Sequence, residues 1–202
     1  MKHVRFIFAA CTLTIVGGAH ALTFGNTTPF TTQSSHSPDF VLGVEVFVNQ
    51  SIFAQSFGMM YGIAGGSPAT SNARFGLYSA NVSTGLPETL LAQTGVVNLS
   101  AVQTYDNIAF TSTPAIAAGV YWMMAHYESN ASPRMDLTNQ NSLVAYWAQP
   151  FGNGMKPTAP GVTTYTGQNF NYWINGEAVP EPLTVGILAI GLGAAMRRRR
   201  RS

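Results

Sequence analysis

The sequence predicts an all-β protein, a jelly-roll-like antiparallel β-sandwich flanked by one apolar helical segment at each end. Three observations predict it. Of 202 residues only 9% are charged, while Ser, Thr, Asn, Gln and Gly abound. No stretch repeats apolar residues at the 3.6-residue spacing that an amphipathic helix needs. Short apolar or alternating runs separated by turn residues recur through the whole central region.

The elements follow in chain order. Met1-Lys2-His3-Val4-Arg5 is a short basic start, Phe6 to Val16 is mostly apolar, and Ala19-His20-Ala21 supplies a small-x-small cleavage pattern. Residues 1–21 therefore read as a signal peptide removed by signal peptidase after Ala21, with Ala19 and Ala21 as its recognition residues. Residues 22–178 read as one domain of about 155 residues, long enough to bury a real core. Val41 to Val48 is the first clear strand, with Val44, Val46 and Val48 on one face and Glu45 on the other. Ser51 to Tyr61 is the second, and Ala73 to Ser79, with Phe75 and Leu77 pointing one way, the third. Asn81 to Pro87 is rich in turn residues, after which Leu90 to Val96 can pair back. Val102 to Phe110 is a further strand. In Val120 to Tyr127 both alternating sets are apolar, which places that strand in the centre of a packed structure. Leu143 to Ala148 and Asn169 to Ile174 bring the number to about eight, as a two-sheet sandwich requires.

Residues 179–202 differ from everything before them. Pro180-Glu181-Pro182 is followed by fourteen apolar residues, Leu183 to Met196, and then by Arg197, Arg198, Arg199, Arg200 and Arg201. A comfortable membrane span needs about twenty residues. Residues from Val179 onward extend this one, and the arginines should stay cytoplasmic under the positive-inside rule. The order of the three parts resembles the PEP-CTERM sorting signal of bacterial surface proteins. The resemblance implies a membrane transpeptidase, exosortase, as partner and a cut near Pro180 to Pro182. It also implies transient inner-membrane anchoring, then release to the surface or extracellular matrix of a Gram-negative-type bacterium, with exopolysaccharide as a possible partner. A second, softer resemblance lies in Arg74-Phe75-Gly76-Leu77-Tyr78-Ser79, Leu86-Pro87-Glu88, Leu90-Leu91-Ala92 and Ala118-Gly119-Val120-Tyr121-Trp122. That series is similar to bacterial choice-of-anchor domains, type R above all, and spans roughly Phe40 to Tyr127. It implies an extracellular β-sandwich joined to a sorting tail. The glycine that usually follows the first loop is displaced here to Gly85.

Removing both ends changes what the composition means. Seven of the ten Lys and Arg residues lie in the two signals, so the body keeps Arg74, Arg134 and Lys156 against seven carboxylates, a net −4. A basic surface able to neutralise phosphates is missing, which argues against a nucleic-acid partner. The single cysteine, Cys11, leaves with the signal peptide, so thiol catalysis and thiolate metal sites are excluded from the body.

The chemistry the body offers is sparse. No HExxH, GxSxG or phosphate-cradling glycine loop is present, and no catalytic residue is assigned. His126 falls on the face of its strand that carries Trp122 and Met124, where a histidine hydrogen-bonded to backbone is expected. A glycoside hydrolase needs two carboxyls about 5 to 10 Å apart. Seven acids give many possible pairs and the sequence singles out none, but so small a number of acids argues against a secreted hydrolase. Asp136, Asn139 and Asn141 place oxygen ligands close together in a polar turn and are weak candidates for calcium. Tyr146 with Trp147, and Tyr172 with Trp173, together with Tyr165, lie beside Asn- and Gly-rich loops; the two pairs are candidates for stacking on a sugar, although aromatic residues fill sandwich cores as well. The sequence therefore leads to a non-catalytic exported protein, with a carbohydrate-binding module as the alternative.

Overall fold

A computed structural model describes residues 21–139 and 141–180. The structure is built from strands. The first five are β1 (Ala21–Gly25), β2 (Thr32–Gln33), β3 (Phe40–Val48), β4 (Ile52–Tyr61) and β5 (Ser71–Ala80). The next five are β6 (Pro87–Gln93), β7 (Val97–Leu99), β8 (Gln103–Ala109), β9 (Ala115–Ile116) and β10 (Gly119–Tyr127). The last are β11 (Arg134–Asp136), β12 (Leu143–Ala148), β13 (Thr163–Thr166), β14 (Asn169–Phe170) and β15 (Tyr172–Ala178). A single 3-10 turn, Phe151–Asn153, follows β12.

These strands form two large antiparallel sheets and a small one. The larger runs β13-β12-β3-β10-β5-β6 with β7 also on β5; the second runs β1-β15-β4-β8 with β9 also on β4. The small sheet, β14-β11-β2, lies beside them. The two large sheets pack face to face. Phe57 of β4 stacks on Phe75 of β5 at 4.3 Å, and the hydroxyls of Tyr127 (β10) and Tyr172 (β15) share a buried hydrogen bond of 2.8 Å. Val44, Val46 and Val48 point into this core while Glu45 points out, as the alternation in β3 dictates.

β10 lies between β3 and β5, and both its faces are buried. Met123, Ala125 and Tyr127 enter the core between the sheets. Trp122 and Met124 enter a second core on the opposite face, with Val41, Tyr78, Ala145, Trp147 and Met155. The chain from 149 to 162 covers that second core as a strap. Tyr78 donates to the Lys156 carbonyl at 2.7 Å, and the Leu90 and Ala159 amides bond the Pro157 and Glu88 carbonyls at 2.9 and 2.8 Å. At its start the Arg74 guanidinium lies 4.8 Å from the centre of the Phe151 ring.

Several boundaries differ from the sequence expectation. The stretch expected as one strand from Asn169 to Ile174 is broken at Asn171. Its fully buried amide side chain accepts from the Phe30 amide at 2.8 Å and donates to the Asn26 and Thr28 carbonyls at 3.0 and 2.7 Å. The chain turns there from the small sheet into the second large one. The expected Leu90–Val96 strand starts earlier, at Pro87, and ends at Gln93. The Asn81–Pro87 turn forms as expected: the Asn81 carboxamide oxygen accepts from the Ser83 and Thr84 amides at 2.9 and 3.0 Å, and Gly85 adopts a positive φ of 73°.

Candidate functional site

A concavity opens where the small sheet meets the start of β3 and the β12–β13 hairpin. It is a cleft of about 420 Å³. Its aromatic wall is Phe40, Tyr146, Tyr165 and Phe170, and Leu42 and Met135 close its base. The Tyr146 and Tyr165 rings are 5.7 Å apart and tilted by 59°, and Phe40 lies 6.2 Å beyond Tyr146. Opposite stand Ser34, Ser35, His36 and Ser37, with Gln168 at the rim. β-strand alternation supplies the aromatic wall: Tyr146 and Tyr165 occupy neighbouring strands, where Val144 pairs with Tyr165 and Tyr146 with Thr163.

The electrostatics of the cleft are those of a neutral surface. No Asp, Glu, Lys or Arg lines it. His36 is held by reciprocal backbone bonds with Ala131, both 2.9 Å, and its Nδ1 lies 2.6 Å from the Ser37 carbonyl, which assigns Nδ1 the proton. Burial pushes its pKa down to about 4, against the opposing effect of the Ser37 bond, so the ring is uncharged at neutral pH. Tyr165 donates to Gln168 Oε1 at 2.9 Å, and burial together with the neighbouring Tyr146 pushes its hydroxyl up to about 12. The cleft thus presents flat rings, hydroxyls, an amide and a neutral imidazole. Such a surface can cover the apolar face of a ring and bond its hydroxyls.

The seven carboxylates of the body are spread elsewhere. Asp39, Glu45, Glu88, Asp106 and Glu128 are exposed and Asp136 and Glu177 half-buried. Glu88 is bonded by Asn81 and Glu128 by Asn72, each at 2.7 Å. Asp106 alone lines a second, smaller hollow of about 310 Å³ on the outer face of the β1-β15-β4-β8 sheet, beside Trp173 and Asn175. Among the described residues no group of three His, Cys, Asp or Glu side chains is arranged to hold a metal ion. In the turn considered for calcium, Asp136 Oδ1 already accepts from the Thr138 hydroxyl and amide at 2.7 and 2.8 Å, bonds that hold its carboxyl below the usual range. Asn139 Oδ1 likewise accepts from the Asn141 amide at 3.2 Å.

The aromatic pairs chosen from sequence separate on inspection. Trp147 is 3% exposed; its Nε1 donates to Gln149 Oε1 at 3.0 Å and its ring meets Tyr78 edge-on. Trp173 is also 3% exposed and lies across Gly58, where a β-carbon would collide with the indole. Tyr172 is committed to the hydroxyl pair with Tyr127. The strap covers Trp147, and Trp173, although it lines the second hollow, is almost wholly buried against Gly58, so neither indole offers a free ring face to a sugar. Tyr146 alone of the four reaches the cleft. Phe40, Tyr165, Gln168 and the Ser34–Ser37 run join it from positions up to about 130 residues apart in the chain, and local sequence carries no sign of that convergence.

His126 is fully buried, with Nε2 2.8 Å from the Gln149 carbonyl and Nδ1 without a partner. It serves the strap, as a histidine bonded to backbone. Of the export and sorting residues, Ala21 opens β1 and Pro180 is exposed just beyond β15. Ala19, Glu181, Pro182 and Arg197 to Arg201 lie outside the described residues. No family model matches the chain, and no curated protein proved similar to it.

Proposed function

We propose that this chain is a non-catalytic exported protein of the cell surface or extracellular matrix, whose β-sandwich holds an uncharged polysaccharide segment in the cleft beside β12 and β13. The observation that carries the reading is the composition of that cleft: four aromatic rings facing serine hydroxyls, an amide and a neutral histidine, with no ionised side chain. No carboxylate lines the cleft, which supports a binding role there over hydrolysis, since a glycosidase needs two acids across one sugar. In the same reading, residues 1–21 direct export through signal peptidase, and residues 179–202 are a PEP-CTERM signal cut by exosortase near Pro180 to Pro182. The domain between them is a jelly roll of the choice-of-anchor kind. Connections that pass from sheet to sheet, as β3 to β4 and β4 to β5 do, support that connectivity.

Affinity electrophoresis tests the binding function. The matured protein should be retarded in gels containing soluble neutral glucans or galactans, and Tyr146→Ala or Tyr165→Ala should each restore free mobility while leaving the melting temperature close to that of the parent. Equal retardation of parent and both variants would place binding elsewhere, and free mobility of the parent in every neutral gel would refute it.

A further inference from the structure

The two ends of the sandwich differ, and the difference follows from strand direction. β3 begins at Phe40 beside the cleft and finishes at Phe47-Val48, roughly 23 Å away at 3.3 Å per residue. The chain leaves the domain at that far end: Ala178 pairs with Ile52, and the Val179 amide bonds the Ser51 carbonyl at 3.0 Å. The mature N-terminus lies there too, because Leu22 pairs with Gly176. Four of the eight large exposed apolar side chains gather at this end. Phe47 is 66% exposed and pairs with the exposed Val120, Phe53 follows the 49–51 turn, and Val82 stands fully exposed at the tip of the β5–β6 turn. Acidic side chains stand beside them: Glu177 pairs with Phe53, and Glu45 lies two residues before Phe47 on the same face of β3.

We infer that Phe47, Phe53, Val82 and Val120 form a membrane-docking end, which inserts into the interfacial layer of a bilayer while the tail is anchored and turns the cleft outward. The inference rests on the reading that the Leu183–Met196 run enters the membrane. That run starts three residues after Pro180, so the end bearing these side chains is held within about 10 Å of the bilayer, whereas the cleft stands a strand length further out. Anchoring so close raises the effective concentration of bilayer at that end, which lets a few side chains dock that would bind weakly on their own. Acidic neighbours argue for apolar insertion over attraction to anionic lipid, so docking should be insensitive to salt.

The test uses the full chain with Cys11→Ser, reconstituted in phosphatidylcholine–phosphatidylglycerol vesicles that contain nitroxide-labelled lipid. Fluorophores are placed singly through Phe47→Cys, Val82→Cys or, at the cleft, Ser35→Cys. Docking predicts several-fold stronger quenching at 47 and 82 than at 35, unchanged by added salt. A triple variant, Phe53→Ser, Val82→Ser and Val120→Ser, should abolish quenching at 47 while its melting temperature holds. Equal quenching at 35 and 47, quenching at neither, or persistence in the triple variant would each overturn the proposal. Carbonate extraction reads the anchor separately. A chain released by carbonate yet still quenched only at 47 and 82 would refute the anchor and keep the docking end. A chain retained but unquenched would do the reverse.

Discussion

A sugar-binding site needs free ring faces, and exposure at single residues decides which tyrosines and tryptophans of this chain have them. Tyr146 and Tyr165 keep a face toward the cleft, and losing either ring should weaken glycan binding by about 1–2 kcal/mol, or roughly tenfold, by titration calorimetry. Trp147→Ala and Trp173→Ala should behave differently. Both indoles are buried, so truncation should cost about 3–5 kcal/mol of stability and show first as a lowered melting temperature. The sequence placed tryptophans near Asn- and Gly-rich loops correctly, but it could not tell a ring facing outward from one covered by a strap that is pinned to strands 67 to 78 residues away. Histidine supplies a pH prediction. In the unfolded chain His36 binds a proton near pH 6.5, and in the fold only near pH 4. The unfolded state therefore holds more protons across that interval, so stability is complete above pH 6.5 and falls as pH drops toward 4, by roughly 3 kcal/mol. Burial lowers His126 in the same direction. Denaturant midpoints measured at pH 7.5 and pH 4.5 check this, and His36→Gln should flatten part of the difference.

Strand existence could be read from alternation, whereas strand ends could not. The runs around Val44, Phe57, Phe75 and Trp122 announce themselves because every second residue must be apolar to face the core. β13, Thr163 to Thr166, has no such signal, since three of its four residues are threonines at an edge. The break at Asn171 escapes too, because it depends on three backbone groups of the 26–30 loop. The strap over the second core is the element whose hold is most concentrated. Gln149 bonds Trp147 through Oε1, reaches the Gly154 carbonyl through Nε2, and offers its own carbonyl to His126. Gln149→Ala strips the side-chain partner from the buried indole N–H and from the Gly154 carbonyl, at a cost of about 1–3 kcal/mol. Hydrogen exchange should then quicken across residues 150–158 while β3 and β10 stay protected. Uniform quickening everywhere would mean that the strap and the sandwich open as one unit.

The described domain differs from end to end along its strands, with the chain exits and the exposed Phe47 and Phe53 at one end and the neutral cleft at the other. That arrangement suits a protein tied to a surface while it reaches outward, and it gives meaning to the sparse charge of the body. An uncharged ligand in a cleft without ions should bind equally at low and high salt. The central claim is export, a cut near the Pro-Glu-Pro and retention outside the cell, and the most direct measurement is the intact mass and location of the product. The precursor would be expressed in a host with an exosortase and in the same host without it. The account predicts a species that starts at Leu22, ends between Pro180 and Pro182, and is found outside the cell only when exosortase is present. An arginine tail still attached in both hosts would contradict it.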